Sequence, residues 1–232
     1  MTSTSAAENP PKTQAPLPLR ILVLLVGMAF AAFGTAAVAR AAVRPARIAS
    51  GPGGLADLTG LTFGTTTILI NCCFVIGQIV LLRRVSAAIL MQVPAVLLFG
   101  LFIDLGMSAL APVTDVMRVS ACPYAASWVM SLAGNVLLAT GITMQIRSNT
   151  IVQAGEGIVL AVCYKFKKTF GSMKVANDLS LVAIAVVMEL AAFGTVTEVR
   201  EGTFVSAVMV GMLVKAIQKR LDARNARKTE EA

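Results

Sequence analysis

Histidine is missing from this chain altogether, which removes the commonest general base and the commonest metal ligand together. Charge is scarce as well. Only 14% of the residues are Asp, Glu, Lys or Arg, where a soluble domain carries about 25%. The four cysteines, Cys72, Cys73, Cys122 and Cys163, have neither metal-ligand spacing nor an evident disulfide partner, and are most simply small apolar side chains. No P-loop, nucleophile elbow or paired-cysteine zinc motif occurs. These absences speak against an enzyme, against a bound cofactor or metal, and against a pump that carries its own nucleotide site.

What the chain has in abundance is apolar sequence. Of its 232 residues 56% are hydrophobic, and six spans of about 20 residues with short connections use up nearly the whole length. The formal net charge of +8 does not point to nucleic acid, because the Lys and Arg are scattered between apolar runs and one basic tail. The composition is that of an all-α polytopic membrane protein whose main partner is the lipid bilayer.

One stretch occurs twice. From Gly27 the chain reads GMAFAAFGTAAVAR and from Gly134 it reads GNVLLATGITMQIR, so a shift of 107 lays Gly27 on Gly134, Gly34 on Gly141 and Arg40 on Arg147. The same shift carries Phe63 and Gly64 onto Phe170 and Gly171, and Asn71 onto Asp178. A shift of 111 then lays the GLFID of Gly100 to Asp104 on the GMLVK of Gly211 to Lys215. Shared spacing over this length is a duplication signal.

In chain order, residues 1–18 form a Ser, Thr, Ala and Pro-rich leader, predicted to be disordered. Ile21 to Ala39 resembles a signal peptide, but it is the counterpart of an internal helix, so it is taken as a retained first span. Residues 19–110 make the first three-helix repeat, with full spans at Gly64 to Leu82 and Ala87 to Leu110. Residues 111–124 read as a connecting loop. Residues 125–218 make the second repeat, with spans at Val175 to Phe193 and Thr203 to Ile217, and 219–232 form a solvated tail. Each repeat also has a short Gly-rich piece after its first span, Ser50 to Leu61 and Ser148 to Phe166, expected to be a half-helix that dips into the bilayer or lies on its surface.

With the N-terminus inside, fifteen of the twenty Lys and Arg fall on inner segments; the outer ones hold only Arg40, Arg44, Arg47, Arg118 and Arg200. That bias places both termini in the cytoplasm. Three spans per repeat is an odd number, so the second copy enters the membrane from the opposite side. The expected architecture is therefore about six transmembrane helices as two inverted repeats, the arrangement in which many transporters hold a solute near the midplane.

Four segments carry a family resemblance: QVPAVLLFGLFIDLGM (Gln92 to Met107), NTIVQAGEGIVLAV, FGSMKVANDLSLV (Phe170 to Val182) and VREGTFVSAVMVG (Val199 to Gly211). They resemble the YczE/YyaS/YitT family of bacterial integral membrane proteins, over about residues 20 to 218. The chain is similar to the shorter, YczE-like branch, which lacks the soluble C-terminal domain of the YitT branch. The resemblance implies a multi-pass protein of the bacterial cytoplasmic membrane, with transport often supposed and no agreed catalytic residues.

Polar residues inside spans are the candidates for mechanism. Asp178 and Glu189 lie eleven apart, three turns with about 20° of rotation, so they share a face. A charge at a lipid-facing helix centre costs at least ~2.5 kcal/mol, so that face should look inward. Asp178 would be a proton or cation site with Glu189 as relay; alternatively Asp178 caps its helix and Glu189 sits among headgroups. Asn71 is placed by the repeat opposite Asp178, and Gln78 falls on the same face as Asn71, either as a cavity wall or as interhelical hydrogen-bonding groups. Glu156 with Gly155 and Gly157, and Ser50 with Gly51, Gly53 and Gly54, begin the two short pieces. Their free N–H groups would suit an anionic group on a solute.

The sequence thus supports a secondary transporter of a small anionic or zwitterionic solute with proton or cation coupling. A membrane accessory or scaffold protein without a pathway is the alternative, and the sequence leaves oligomerisation open.

Overall fold

A computed structural model of the chain describes residues 16–42, 60–83, 85–119, 122–167, 169–193 and 201–230. Nine helices form among them: α1 (Leu17–Ala42), α2 (Phe63–Leu82), α3 (Ala87–Leu90), α4 (Gln92–Ala109), α5 (Ala111–Val119), α6 (Pro123–Ser148), α7 (Ala154–Phe166), α8 (Phe170–Phe193) and α9 (Glu201–Glu230). Four stretches, Leu17–Ala41, Phe63–Leu82, Gln92–Met117 and Pro123–Ser148, are long and apolar enough to cross a membrane. At 1.5 Å per residue each reaches roughly 30 Å or more. Residues 1–15 of the leader and residues 43–59, which hold Ser50, Gly51, Gly53 and Gly54, lie outside the described residues, whereas Leu17 and Pro18, expected in the leader, already belong to α1.

The distribution of polarity is that of a membrane protein. Asn71, Gln78, Gln92, Asn135, Gln145 and Glu156 are buried, while Leu97, Leu101, Val129, Ile184 and Val187 are exposed. Water would reward the opposite arrangement.

Prolines decide two boundaries that differ from the expected ones. The stretch Ala87 to Leu110 is not one helix: Pro94 can neither donate to the Leu90 carbonyl nor avoid its ring clashing there, so α3 stops at Leu90 and α4 restarts at Gln92. The expected loop at residues 111–124 is mostly helix. Pro112 falls in the first turn of α5, where a missing N–H costs nothing, and α5 follows α4 after the single residue Leu110. Pro123 likewise occupies the first turn of α6. The expected tail from residue 219 also continues as α9, to Glu230. Its Lys, Arg, Ala and Leu are good helix formers, and Arg147 at the end of α6 ties it down through Asp222 and the Gln218 carbonyl.

Helix pairing follows the duplicated glycines. On α1 and α6, Gly27 faces Gly141 and Gly34 faces Gly134: a Cβ on Gly141 would lie 2.5 Å from the Gly27 carbonyl oxygen, and one on Gly34 2.7 Å from that of Gly134. The two helices therefore run antiparallel with backbones in contact. Gly64 of α2 meets Gly100 of α4, and Gly171 of α8 meets Gly211 of α9, again antiparallel. Asp104, near the end of α4, accepts from the Gly64 N–H and from the Thr62 hydroxyl, both at 2.8 Å. That carboxylate caps α2 and complements its dipole. Apolar clusters fill the remaining space, with Leu24, Met28, Ala31, Ala32, Phe99 and Ile103 between α1 and α4, and Ala139, Ile142, Val210 and Val214 between α6 and α9.

Candidate functional site

The site is built around the start of α7. After α6 ends, Arg20 holds the turn by donating to the Ser148 carbonyl at 2.8 Å and to that of Asn149. The chain then heads inward, with Ile151 packed on the Leu24, Met28 and Phe99 cluster. Helix α7 begins beside the middle of α2 and runs parallel to it, Gly155 against Asn71 and Gly157 against Gln78. Its 13 residues make about 20 Å, too short to cross a bilayer. At its far end Tyr164 and Phe166 are exposed.

Neutral amides close one side of this helix end. The Gly155 N–H donates to Asn71 Oδ1 at 3.2 Å, so Asn71 supplies from a neighbouring helix the cap that Gln153 does not provide itself. Gln78 donates to the Ala154 carbonyl at 3.2 Å and exchanges two hydrogen bonds with Gln92, at 2.9 and 3.1 Å. A Cβ on Gly157 would lie 2.7 Å from both amide groups, so only glycine lets the pair close over the helix. Replacing Asn71 by leucine would leave the part-buried Gly155 N–H without its acceptor, at a cost of about 1 kcal/mol or more. A matching fall in the thermal midpoint in detergent is expected, and an unchanged midpoint would refute the capping role.

The other side is charged. Glu156 is 6% exposed, and its Oε1 lies 3.7 Å from Lys174 Nζ. Lys174 in turn donates to Asp178 Oδ1 at 2.9 Å, one helical turn along α8. Asn177 adds a bond of 3.3 Å to the same oxygen. One ammonium thus serves two carboxylates, leaving the cluster with a formal charge of −1. Glu156 Oε2 is buried and, among the described residues, has no hydrogen-bond partner.

Of the residues singled out in the sequence, Asn71, Gln78, Gly155, Glu156, Gly157 and Asp178 come together here. The side chain of Glu189 lies outside the described residues, as do Ser50, Gly51, Gly53 and Gly54. Asp178 binds Lys174 rather than capping its helix. Two members were missed. Gln92 opens an apolar run and carries no signal of its own, whereas Lys174 stands four residues before Asp178, the spacing of a helical ion pair. The charge bias puts Lys174 among the inner-surface charges; the structure places it on α8, buried.

The family model described as "Family of unknown function (DUF6198)" matches residues 18–219, and the chain belongs to that family. No curated protein and no solved structure matches it.

Proposed function

We propose that this member of the DUF6198 family is a secondary transporter of a small zwitterionic solute, coupled to a proton or cation, in the bacterial cytoplasmic membrane with both termini inside. Six spans, α1, α2, α4, α6, α8 and α9, would form two inverted repeats, with α7 as a re-entrant half-helix. The paired glycines support this: Gly27 with Gly141 and Gly34 with Gly134 are the contacts that a two-fold axis between the copies would make. The kinship with the YczE/YyaS/YitT family is proposed on the four sequence motifs alone.

The observation that carries the transport reading is the cluster of buried Glu156 and Lys174 with half-buried Asp178, at the head of a helix too short to cross. Buried charge among membrane helices is costly and usually functional. An anionic solute fits α7 poorly, because Asn71 already takes the Gly155 N–H and a carboxylate follows it. A zwitterion fits better, its ammonium on Glu156 and its carboxylate on Lys174.

The test compares metabolites retained by membrane vesicles carrying the protein, the Glu156→Gln variant, or neither. At least one zwitterionic solute should depend on the protein and on the pH gradient, and should fall about tenfold in the variant, as the loss of one charge-assisted hydrogen bond implies. Identical metabolite profiles with and without the protein would reject transport. They would favour the accessory role instead, in which Asn71 and Gln78 serve only as interhelical glue.

A further inference from the structure

The cluster has one more negative charge than positive, and the surplus has a definite address. Lys174 Nζ sits at hydrogen-bond distance from Asp178 and at 3.7 Å from Glu156. Asp178 also receives Asn177. Glu156 has the weaker share of the ammonium and one oxygen, Oε2, buried with no hydrogen-bond partner among the described residues. Among the described residues the remaining neighbours do not compensate it: α2 and α4 offer only the amides of Asn71, Gln78 and Gln92 here. On α7 itself the next titratable groups, Cys163, Tyr164 and Lys165, begin two turns further on. A metal cation would have to take the space between the two carboxylates, which the Lys174 ammonium already occupies. A proton meets no such obstacle, because it adds to the free oxygen and removes the surplus charge.

We propose that Glu156 Oε2 is a proton-binding site inside the membrane, and that Lys174 and Asp178 set its affinity. The step is a simple protonation: a proton from the aqueous phase forms the O–H bond at Oε2, the carboxylate becomes a carboxylic acid, and the cluster goes from −1 to neutral. Glu156 then no longer attracts Lys174, which passes wholly to Asp178. Because the Glu156 to Lys174 contact joins α7 to α8, protonation loosens the seat of the short helix. This deepens the transport reading by naming the coupling ion and the residue that takes it.

Infrared difference spectra of the purified full-length protein in lipid nanodiscs, recorded as the pH is lowered, test the assignment directly. Wild type should gain one protonated-carboxyl band typical of a dry site, and Glu156→Gln, which is isosteric, should lack it. In Asp178→Asn the band should persist but grow in at lower pH, because a negative neighbour has been removed and Lys174 is free for Glu156. A band that survives in Glu156→Gln, a wild type with no titrating band, or an Asp178→Asn midpoint that stays put or rises would each overturn the proposal. The two readings also fail separately. A titrating Glu156 with unchanged vesicle metabolites keeps the proton site and removes transport, whereas protein-dependent metabolites without the band keep transport and remove the proton site.

Discussion

Gly141→Val is expected to abolish recovery of folded protein. The new Cβ would stand 2.5 Å from the Gly27 carbonyl oxygen, and the remaining valine carbons would need room beyond it. Overpacking a core usually costs about 1–3 kcal/mol because side chains can turn aside. Here the obstacle is backbone on both helices, which cannot. Relief requires α1 and α6 to separate, and with them Gly34 from Gly134, so the cost should reach roughly 3 kcal/mol or more. The measurement is the yield of monodisperse protein in detergent and its thermal midpoint. Gly77→Ala is the control, since a Cβ there would meet only Ile158 Cδ1, at 3.6 Å, and alanine favours helix by up to ~1 kcal/mol. It should fold as well as wild type. A Gly141→Val protein that is equally monodisperse and melts at the same temperature would show that α1 and α6 do not touch along their glycines.

Lys174→Met should be the most damaging single change in the polar site. Methionine fills a similar volume, but Glu156 and Asp178 would then face each other with no positive charge between them, and the cluster would go from −1 to −2. Breaking a buried pair by removing one partner costs about 3–5 kcal/mol. Adding Asp178→Asn to Lys174→Met removes one of the stranded charges and should restore part of that loss. Both variants can be followed by thermal unfolding in detergent, with Asp178→Asn alone completing the cycle. If Lys174→Met melts like wild type, the ammonium does not hold the two carboxylates together. If the double variant is no better than Lys174→Met, the damage came from lost packing rather than from charge.

The composition and the apolar runs made the membrane class and most helices legible, because a span must satisfy its own backbone and show lipid a continuous apolar surface. The glycine partners were half legible. The shift of 107 revealed which glycines correspond, but not that Gly27 lies on the counterpart of Gly34 rather than on its own. Local proline effects could have been read at Pro94 and Pro112, since only their position within a turn decides whether they break a helix or begin one. Lys174 went unrecognised because a lysine near a short connection looks the same whether it meets headgroups or a carboxylate four residues on.

By itself the amino-acid sequence determined where the chain is apolar, where it repeats and which residues share a helical face. Apolar runs and shared faces depend on near neighbours in the chain, and the repeat on residue identities alone. Only the tertiary structure decided that α7 starts beside the middle of α2, that Asn71 and Gln78 close over it, and that Glu156 meets Lys174. Each of these contacts joins different helices, and those with α2 depend on how closely Gly155 and Gly157 let α7 approach it.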